Sequence, residues 1–147
     1  TLLWADLTNP FVWCALFVMV GNGLIGFGDD YLKLTKKNSK GLSGRLKLVA
    51  QIGVALLATL WIVYILPPTL ETHLAIPFFK HFFINLGLLF LPWAVLVMVG
   101  SSNAVNLTDG LDGLAIVPVA IAAACFGLIS YVIGNAIFSD YLQIPFV

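Results

Sequence analysis

Four long apolar stretches constrain this chain more than any other feature of its sequence. They run over residues 10–28, 48–66, 82–100 and 114–133. A bilayer core is about 30 Å thick and takes roughly 20 helical residues to cross, so each stretch is long enough to span it. Only 10% of the residues are charged, whereas ordinary soluble domains contain about 25%. We therefore predict an all-α, polytopic membrane fold with four transmembrane helices, residues 1–147 forming one membrane domain.

Asparagine and proline mark where some of these helices should begin or bend. The pair Asn9-Pro10 predicts the start of the first helix, because Asn caps helices well and Pro is tolerated in the first turn. Pro92 lies inside the third stretch and predicts a bend there. Pro118 falls in the first turns of the fourth stretch, where it should do little harm.

The basic residues predict the orientation of the helices. Six of the seven Lys and Arg residues lie in the first connection, residues 29–47. The positive-inside rule places that loop in the cytoplasm, and with four spans the 101–113 loop faces the same compartment. A lysine-rich loop attracts anionic headgroups or phosphorylated ligands. The same charges would also be explained by a topology signal alone.

Two adjacent carboxylates, Asp29 and Asp30, follow the first apolar stretch. A charge deep in the membrane costs about 2.5–3.5 kcal/mol on insertion scales, and neighbouring carboxylates repel each other unless a cation lies between them. Mg²⁺ is the expected cation at a phosphate site. Alternatively, the pair merely ends a helix and meets Lys33, although a helix C-terminus favours cations over carboxylates.

A second polar cluster follows the third apolar stretch, with an Asn or Asp at every third position. Its members are Asn103, Asn106, Asp109 and Asp112. If the segment is helical, the last three share a face about 120° wide. If it is a turn, Asp-Gly pairs at 109–110 and 112–113 allow a ligand to approach closely. An ordinary polar loop between helices is the alternative to a binding site.

Three other features are better explained by structure than by chemistry. GNGLIG, residues 21–26, matches GxGxxG but lies inside an apolar span, where small residues favour close helix packing. Cys14 and Cys125 lie in apolar runs and are interpreted as small hydrophobic residues. His73 and His81 lie in or beside the external 67–81 loop and are interpreted as loop or interface residues.

The two motifs together carry a family resemblance. GFGDDYLKLTKKNSKGLSGRLK and, downstream, SSNAVNLTDGLDGLA resemble the phospho-N-acetylmuramoyl-pentapeptide transferase family. That family belongs to the polyprenyl-phosphate N-acetylhexosamine-1-phosphate transferases, and the resemblance covers essentially the whole chain. It implies Mg²⁺-dependent transfer of the phospho-sugar of UDP-N-acetylmuramoyl-pentapeptide to undecaprenyl phosphate, with release of UMP. It also implies peptidoglycan synthesis at the bacterial inner (cytoplasmic) membrane, with the active site facing the cytoplasm.

The resemblance assigns roles to individual residues. Asp29 would act on the lipid phosphate as base or nucleophile, and Asp30 would hold Mg²⁺ or phosphate together with a downstream aspartate that this chain lacks. The substrate-binding positions that it implies are Asn103, Asn106, Asp109, Asp112, Lys33 and Lys47. The first four would line the nucleotide–sugar pocket, and the two lysines would contact the diphosphate or the lipid headgroup.

The extent of the chain adds an expectation about activity. It begins at Thr1, has no recognisable signal peptide, and ends before the family's third aspartate and histidine-rich motif. We therefore expect a piece of a longer protein that is inactive by itself. The expected partners are the two substrates and the bilayer, a homodimer is left open, and no nucleic acid is expected.

Two other functions are compatible with the residues. A transferase of the same superfamily that moves N-acetylglucosamine-1-phosphate would differ in the nucleotide sugar it prefers. A cation-coupled transporter would instead place its carboxylates near the bilayer midplane. The depth of Asp29 and Asp30 in the membrane therefore separates transport from transfer.

Overall fold

The computed structural model describes residues 2–3, 5–36, 41–66, 72–75, 83–108 and 114–142. In order, these residues form α1 (Pro10–Lys36), α2 (Gly44–Ile65), β1 (His73–Ala75), β2 (Phe83–Asn85), a 3-10 turn (Gly87–Leu89), α3 (Phe90–Thr108), α4 (Ile116–Ile133) and α5 (Ala136–Leu142). Within this part of the chain, four helical segments are long and apolar enough to cross a membrane: Pro10–Thr35, Gly44–Ile65, Gly87–Thr108 and Ile116–Ile133. The all-α polytopic fold is confirmed, with a small two-stranded sheet added to it.

The first helix begins where the sequence indicates. The side-chain oxygen of Asn9 accepts a hydrogen bond of 2.9 Å from the backbone N–H of Phe11. Pro10 occupies the first helical position, where its missing N–H costs nothing. At α2 the hydroxyl of Ser43 caps the helix in the same way, accepting from the N–H of Leu46 at 3.4 Å.

The third helix begins later than the apolar stretch that predicts it. Residues 83–85 form a strand, and the side-chain oxygen of Asn85 accepts hydrogen bonds from the Gly87 N–H at 2.8 Å and the Thr72 hydroxyl at 2.9 Å. Gly87 has φ +49°, a conformation that favours glycine. Pro92 is consequently the third residue of α3, in the first turn, where its missing N–H breaks no intrahelical bond.

Two helices continue past the ends of the apolar stretches. α1 extends to Lys36 rather than to residue 28, and α3 extends to Thr108 rather than to residue 100. The 27 residues of α1 give a length of about 40 Å, which exceeds the hydrocarbon thickness of about 30 Å. Polar residues expected on loops therefore lie on helix ends that project beyond the apolar layer.

The chain divides into two compact units, Thr1–His73 with Asn85–Gly100, and Leu74–Ile84 with Ser101–Val147. In the first unit, α1 and α2 pack as an antiparallel hairpin. The Cys14 thiol reaches the carbonyl oxygen of Ala58 at 3.7 Å, and Phe17 meets Trp61 edge-on at 6.2 Å between ring centroids. Cys14 is buried at this interface, as expected of a small hydrophobic residue. In the second unit, α5 follows α4 directly after the Gly134–Asn135 turn.

The GNGLIG segment lies within α1, so no strand precedes it and the dinucleotide pattern does not apply. A Cβ atom built on Gly21 would lie 2.9 Å from a methyl carbon of Val54 in α2. No described atom lies within 4 Å of a Cβ built on Gly23 or Gly26. Close helix packing therefore accounts for Gly21 and not for the other two glycines.

Candidate active site

The candidate site is built on the last turns of α1, where Asp29, Asp30 and Lys33 face one another. Residues three and four apart on a helix lie on the same side. The Lys33 ammonium forms an ion pair of 2.7 Å with Asp29 Oδ2 and one of 3.2 Å with Asp30 Oδ1. A cation does lie between the two adjacent carboxylates, and in the protein alone it is the lysine.

The chain segment that leads into α2 closes over Asp29. The backbone N–H of Leu42 donates a hydrogen bond of 2.8 Å to Asp29 Oδ1. Both oxygens of this carboxylate therefore have a donor, the Leu42 amide on Oδ1 and the Lys33 ammonium on Oδ2. The Asp29 side chain is only 13% exposed, whereas that of Asp30 is 75% exposed. Asp29 is sheltered and fixed in orientation, and Asp30 is open to an incoming ligand.

Gly41 allows this approach. A Cβ atom at position 41 would overlap Asp29 Oδ1 and would lie 2.9 Å from both Asp29 Cγ and Lys33 Cε. Gly41 and Leu42 are not among the site residues predicted from the sequence, although both lie inside the motif GFGDDYLKLTKKNSKGLSGRLK. The available signal was a glycine two residues before the Ser43 cap of α2, since glycine often marks a close approach of backbone to another group.

Lys47 is the second predicted lysine, and it lies in the first turns of α2. It is half-buried, and its N–H bonds to the carbonyl oxygen of Ser43 at 3.0 Å. Its ammonium interacts electrostatically with the Asp29 carboxylate. The structure therefore gathers Asp29, Asp30, Lys33 and Lys47 at the junction of α1 and α2.

The position of this cluster along α1 indicates how deep in the membrane its carboxylates lie. Asp29 lies about 28 Å along the axis from Pro10, because each helical residue advances 1.5 Å. The hydrocarbon layer is about 30 Å thick, so a helix that enters it near Pro10 carries Asp29 to the opposite boundary. This position differs from the midplane carboxylates that a transporter would require.

The second predicted cluster is described only in part. Asn103 and Asn106 both lie on α3, so the helical alternative holds as far as Thr108. Asn103 is half-buried and Asn106 is exposed, and both belong to the second compact unit. Asp109 and Asp112 lie outside the described residues, so their predicted place in the pocket stays a prediction.

The donor set at the end of α1 can be compared with what Mg²⁺ requires. Mg²⁺ is usually bound by one or two carboxylates, with water and substrate phosphate oxygens filling its other positions. Asp29 and Asp30 converge on one point, where the Lys33 ammonium supplies the positive charge. Among the described residues, no group of three or more His, Cys, Asp and Glu could hold a metal. The residues fit a magnesium ion that is shared with substrate phosphates, rather than a closed protein site.

An acidic residue at the other end of α1 provides a contrast. The Thr8 hydroxyl donates a hydrogen bond of 2.6 Å to Asp6 Oδ1, and the Thr8 N–H donates another of 2.9 Å. These bonds hold the pKa of Asp6 below its ordinary value. Thr8 follows Asp6 by only two residues, so these hydrogen bonds close a local turn before α1. Such bonds are ordinary in turns and do not indicate a binding site.

Comparison with known proteins agrees with the two motifs. The model of glycosyl transferase family 4 matches residues 12–144. The chain is 54% identical to the phospho-N-acetylmuramoyl-pentapeptide-transferase of Maricaulis maris, over 99% of this chain and 41% of that protein. It is 53% identical to the protein of the same name from Ruegeria pomeroyi, over 100% of this chain and 41% of that protein. These matches confirm the resemblance stated from the sequence.

A third relative leads to the same result. The phospho-N-acetylmuramoyl-pentapeptide-transferase of Granulibacter bethesdensis is 55% identical over 98% of this chain and 40% of that protein. The chain thus spans about two fifths of the length of the curated relatives that it matches.

Proposed function

This chain belongs to glycosyl transferase family 4, and on that premise we propose that the protein transfers phospho-N-acetylmuramoyl-pentapeptide from its UDP carrier to undecaprenyl phosphate. The products are UMP and the first lipid-linked precursor of peptidoglycan. Three relatives that bear the name of this transferase are 53–55% identical to almost the entire chain. Their name supports this choice of substrate.

The observation that carries the proposal is the charged cluster at the end of α1. Asp29, Asp30 and Lys33 form a compact group about 28 Å from the start of a membrane-length helix. A lipid phosphate resides at the membrane boundary, and a nucleotide diphosphate reaches that boundary from the aqueous phase. Carboxylates and lysines at the same level meet the electrostatic needs of two polyanions that must approach each other.

The orientation of Asp29 suits an acting group. Its Oδ1 is held by the Leu42 amide, so its Oδ2 is directed at Lys33 and becomes available when the ammonium turns to a phosphate. In a one-step transfer, Oδ2 accepts the proton of the lipid phosphate, whose oxygen attacks the sugar-bearing phosphorus as the bond to UMP breaks. In a two-step transfer, Oδ2 itself attacks that phosphorus, UMP leaves, and the lipid phosphate then displaces the carboxylate.

Asp30 and the two lysines would serve the phosphates. Asp30, with its exposed carboxylate, would hold Mg²⁺, which when bound neutralises phosphate charge and screens the two substrates from each other. Lys33 and Lys47 would bind phosphate oxygens as point charges. Asn103, Asn106, Asp109 and Asp112 would contribute to the nucleotide–sugar pocket, an assignment that rests on the family resemblance.

The four membrane-length helices among the described residues, together with the family, make this a multi-pass membrane protein. We place it in the bacterial inner membrane with the α1–α2 junction in the cytoplasm. The six basic residues of segment 29–47 support this orientation through the positive-inside rule.

The test uses the full-length protein, encoded by the complete reading frame, in detergent or nanodiscs. UMP release is measured with UDP-N-acetylmuramoyl-pentapeptide, undecaprenyl phosphate and Mg²⁺, and then with each component omitted in turn. We expect release that requires all three and stops when EDTA is added. Equal or faster release from UDP-N-acetylglucosamine would reassign the protein to the sibling transferase, and no release from either nucleotide would contradict the proposal.

A further inference from the structure

We propose that Gly41 and the backbone N–H of Leu42 are positioning elements for the Asp29 carboxylate. In this arrangement the segment before α2 fixes the direction from which Asp29 meets a phosphate. The inference deepens the proposed transferase function and rests on it for its kinetic consequence. Its geometric consequence can be measured without any turnover.

The first support is the pair of contacts that fixes the carboxylate plane. Asp29 Oδ1 accepts a hydrogen bond of 2.8 Å from the Leu42 N–H, and Asp29 Oδ2 lies 2.7 Å from the Lys33 ammonium. A lysine side chain is flexible and its ammonium is a mobile donor. The backbone amide has no such freedom, so Leu42 is the contact that keeps its position when Lys33 turns to a substrate.

The second support is the space around Gly41. A Cβ atom there would overlap Asp29 Oδ1 and come within 2.9 Å of Asp29 Cγ. The backbone of Gly41 is not in the left-handed region, which Gly87 adopts. A glycine is therefore needed at position 41 for room beside the carboxylate, and not for an unusual backbone conformation.

Neighbouring glycines lack this requirement and so provide a control. A Cβ atom at Gly28 would be in ordinary contact with Leu42 Cδ1 at 3.7 Å. No described atom lies within 4 Å of a Cβ built at Gly44, the first residue of α2. The pair Gly41→Ala and Gly44→Ala therefore adds the same methyl group three residues apart, and only one of the two meets Asp29.

The atoms in the way of an alanine at position 41 belong to side-chain ends. They are the carboxylate of Asp29 and the Cε atom of Lys33, both of which can rotate aside without moving a helix backbone. Gly41→Ala should therefore displace the carboxylate and leave the packing of α1 on α2 intact. A misplacement of about 1 Å in a reacting group can cost about 100-fold in rate.

Kinetics of the full-length protein test the consequence for catalysis. For Gly41→Ala we expect kcat to fall about 100-fold and KM for the nucleotide substrate to change much less, because the flexible Lys33 side chain can still reach a phosphate while the Asp29 carboxylate is displaced. Gly44→Ala should match the wild type in both, and neither variant should have a lower melting temperature than the wild type. Wild-type kcat in Gly41→Ala, an equal loss in Gly44→Ala, or a loss accompanied by a lowered melting temperature would overturn the inference.

Hydrogen exchange tests the geometry independently of the reaction. The Leu42 amide should exchange faster in Gly41→Ala and in Asp29→Ala than in the wild type, because the first change displaces its acceptor and the second removes it. Its exchange should be unaffected in Gly44→Ala. Unchanged exchange in the first two variants would overturn the inference even if the protein proves active. If the Leu42 amide exchanges faster in these two variants while the wild-type protein releases no UMP, the inference about geometry is supported and the proposed function fails.

Discussion

Replacing Gly21 with alanine should weaken the α1–α2 hairpin, whereas the same change at Gly23 should strengthen it. A Cβ atom at Gly21 would lie 2.9 and 3.0 Å from the two methyl carbons of Val54. Favourable carbon–carbon contacts lie at about 3.5–4.0 Å, so the added methyl group is about 0.5–1 Å too close. Val54 is β-branched and cannot readily rotate away.

The magnitudes follow from two opposing terms. Overpacking of a well-packed interface costs about 1–3 kcal/mol, and Gly→Ala inside a helix gains about 1 kcal/mol. We therefore expect Gly21→Ala to lower the free energy of unfolding by about 0–2 kcal/mol. At Gly23, where no described atom lies within 4 Å of the built Cβ, only the gain of about 1 kcal/mol applies.

The assay is equilibrium unfolding of the full-length protein by SDS titration in mixed micelles, followed by circular dichroism. Val54→Ala removes both crowded methyl carbons, so the double variant Gly21→Ala with Val54→Ala should show a favourable coupling of about 1–3 kcal/mol. Equal stability of Gly21→Ala and Gly23→Ala, or a coupling near zero, would refute the assignment of Gly21 to helix packing.

Two further predictions concern the cluster and a helix cap. Lys33→Met removes the ammonium between Asp29 and Asp30, so the substrate-free protein should bind Mn²⁺ more tightly in electron paramagnetic resonance titrations, while UMP release should fall. The control Arg45→Met should change Mn²⁺ affinity less. Weaker Mn²⁺ binding in Lys33→Met would contradict the idea that the lysine ammonium and the metal ion occupy the same position between the two carboxylates. Asn9→Ala removes the acceptor of the Phe11 N–H and should lower the free energy of unfolding by about 1 kcal/mol, measured in the same SDS titration. Asn9→Ser, which keeps a capping oxygen, should stay near wild type, and an equal loss in both variants would show that the cap is not the cause.

The four helices could be predicted from the sequence because the bilayer imposes a minimum apolar length on each of them. The ends of the helices could not be predicted in the same way. Hydropathy indicates which residues lie in the hydrocarbon layer, whereas a helix continues until a cap or a turn ends its backbone hydrogen bonding. α1 therefore reaches Lys36, eight residues past the apolar stretch. α3 begins late because the Asn85 side chain and Gly87 build a turn where the composition is still apolar.

The candidate site was predictable where it depends on helix spacing. Asp29, Asp30 and Lys33 are three and four residues apart, so any helix through them brings their charges together. The contact of Leu42 with Asp29 joins residues that are 13 positions apart. The spacing of residues in the sequence does not determine the path of the chain between them. Gly41 and Leu42 were missed for that reason, whereas Asn9-Pro10 was found because a helix cap is encoded by adjacent residues.

The proposed transferase function assigns the reacting group to the Asp29 carboxylate, held at the end of α1. The most direct test compares UMP release by full-length Asp29→Asn with that by Asp6→Asn, in which the exchanged carboxylate lies at the other end of α1. We expect Asp29→Asn to insert and fold normally but to lose turnover by at least about 100-fold, while Asp6→Asn stays near wild type. Near wild-type turnover of Asp29→Asn would contradict the assignment of the reaction to this carboxylate.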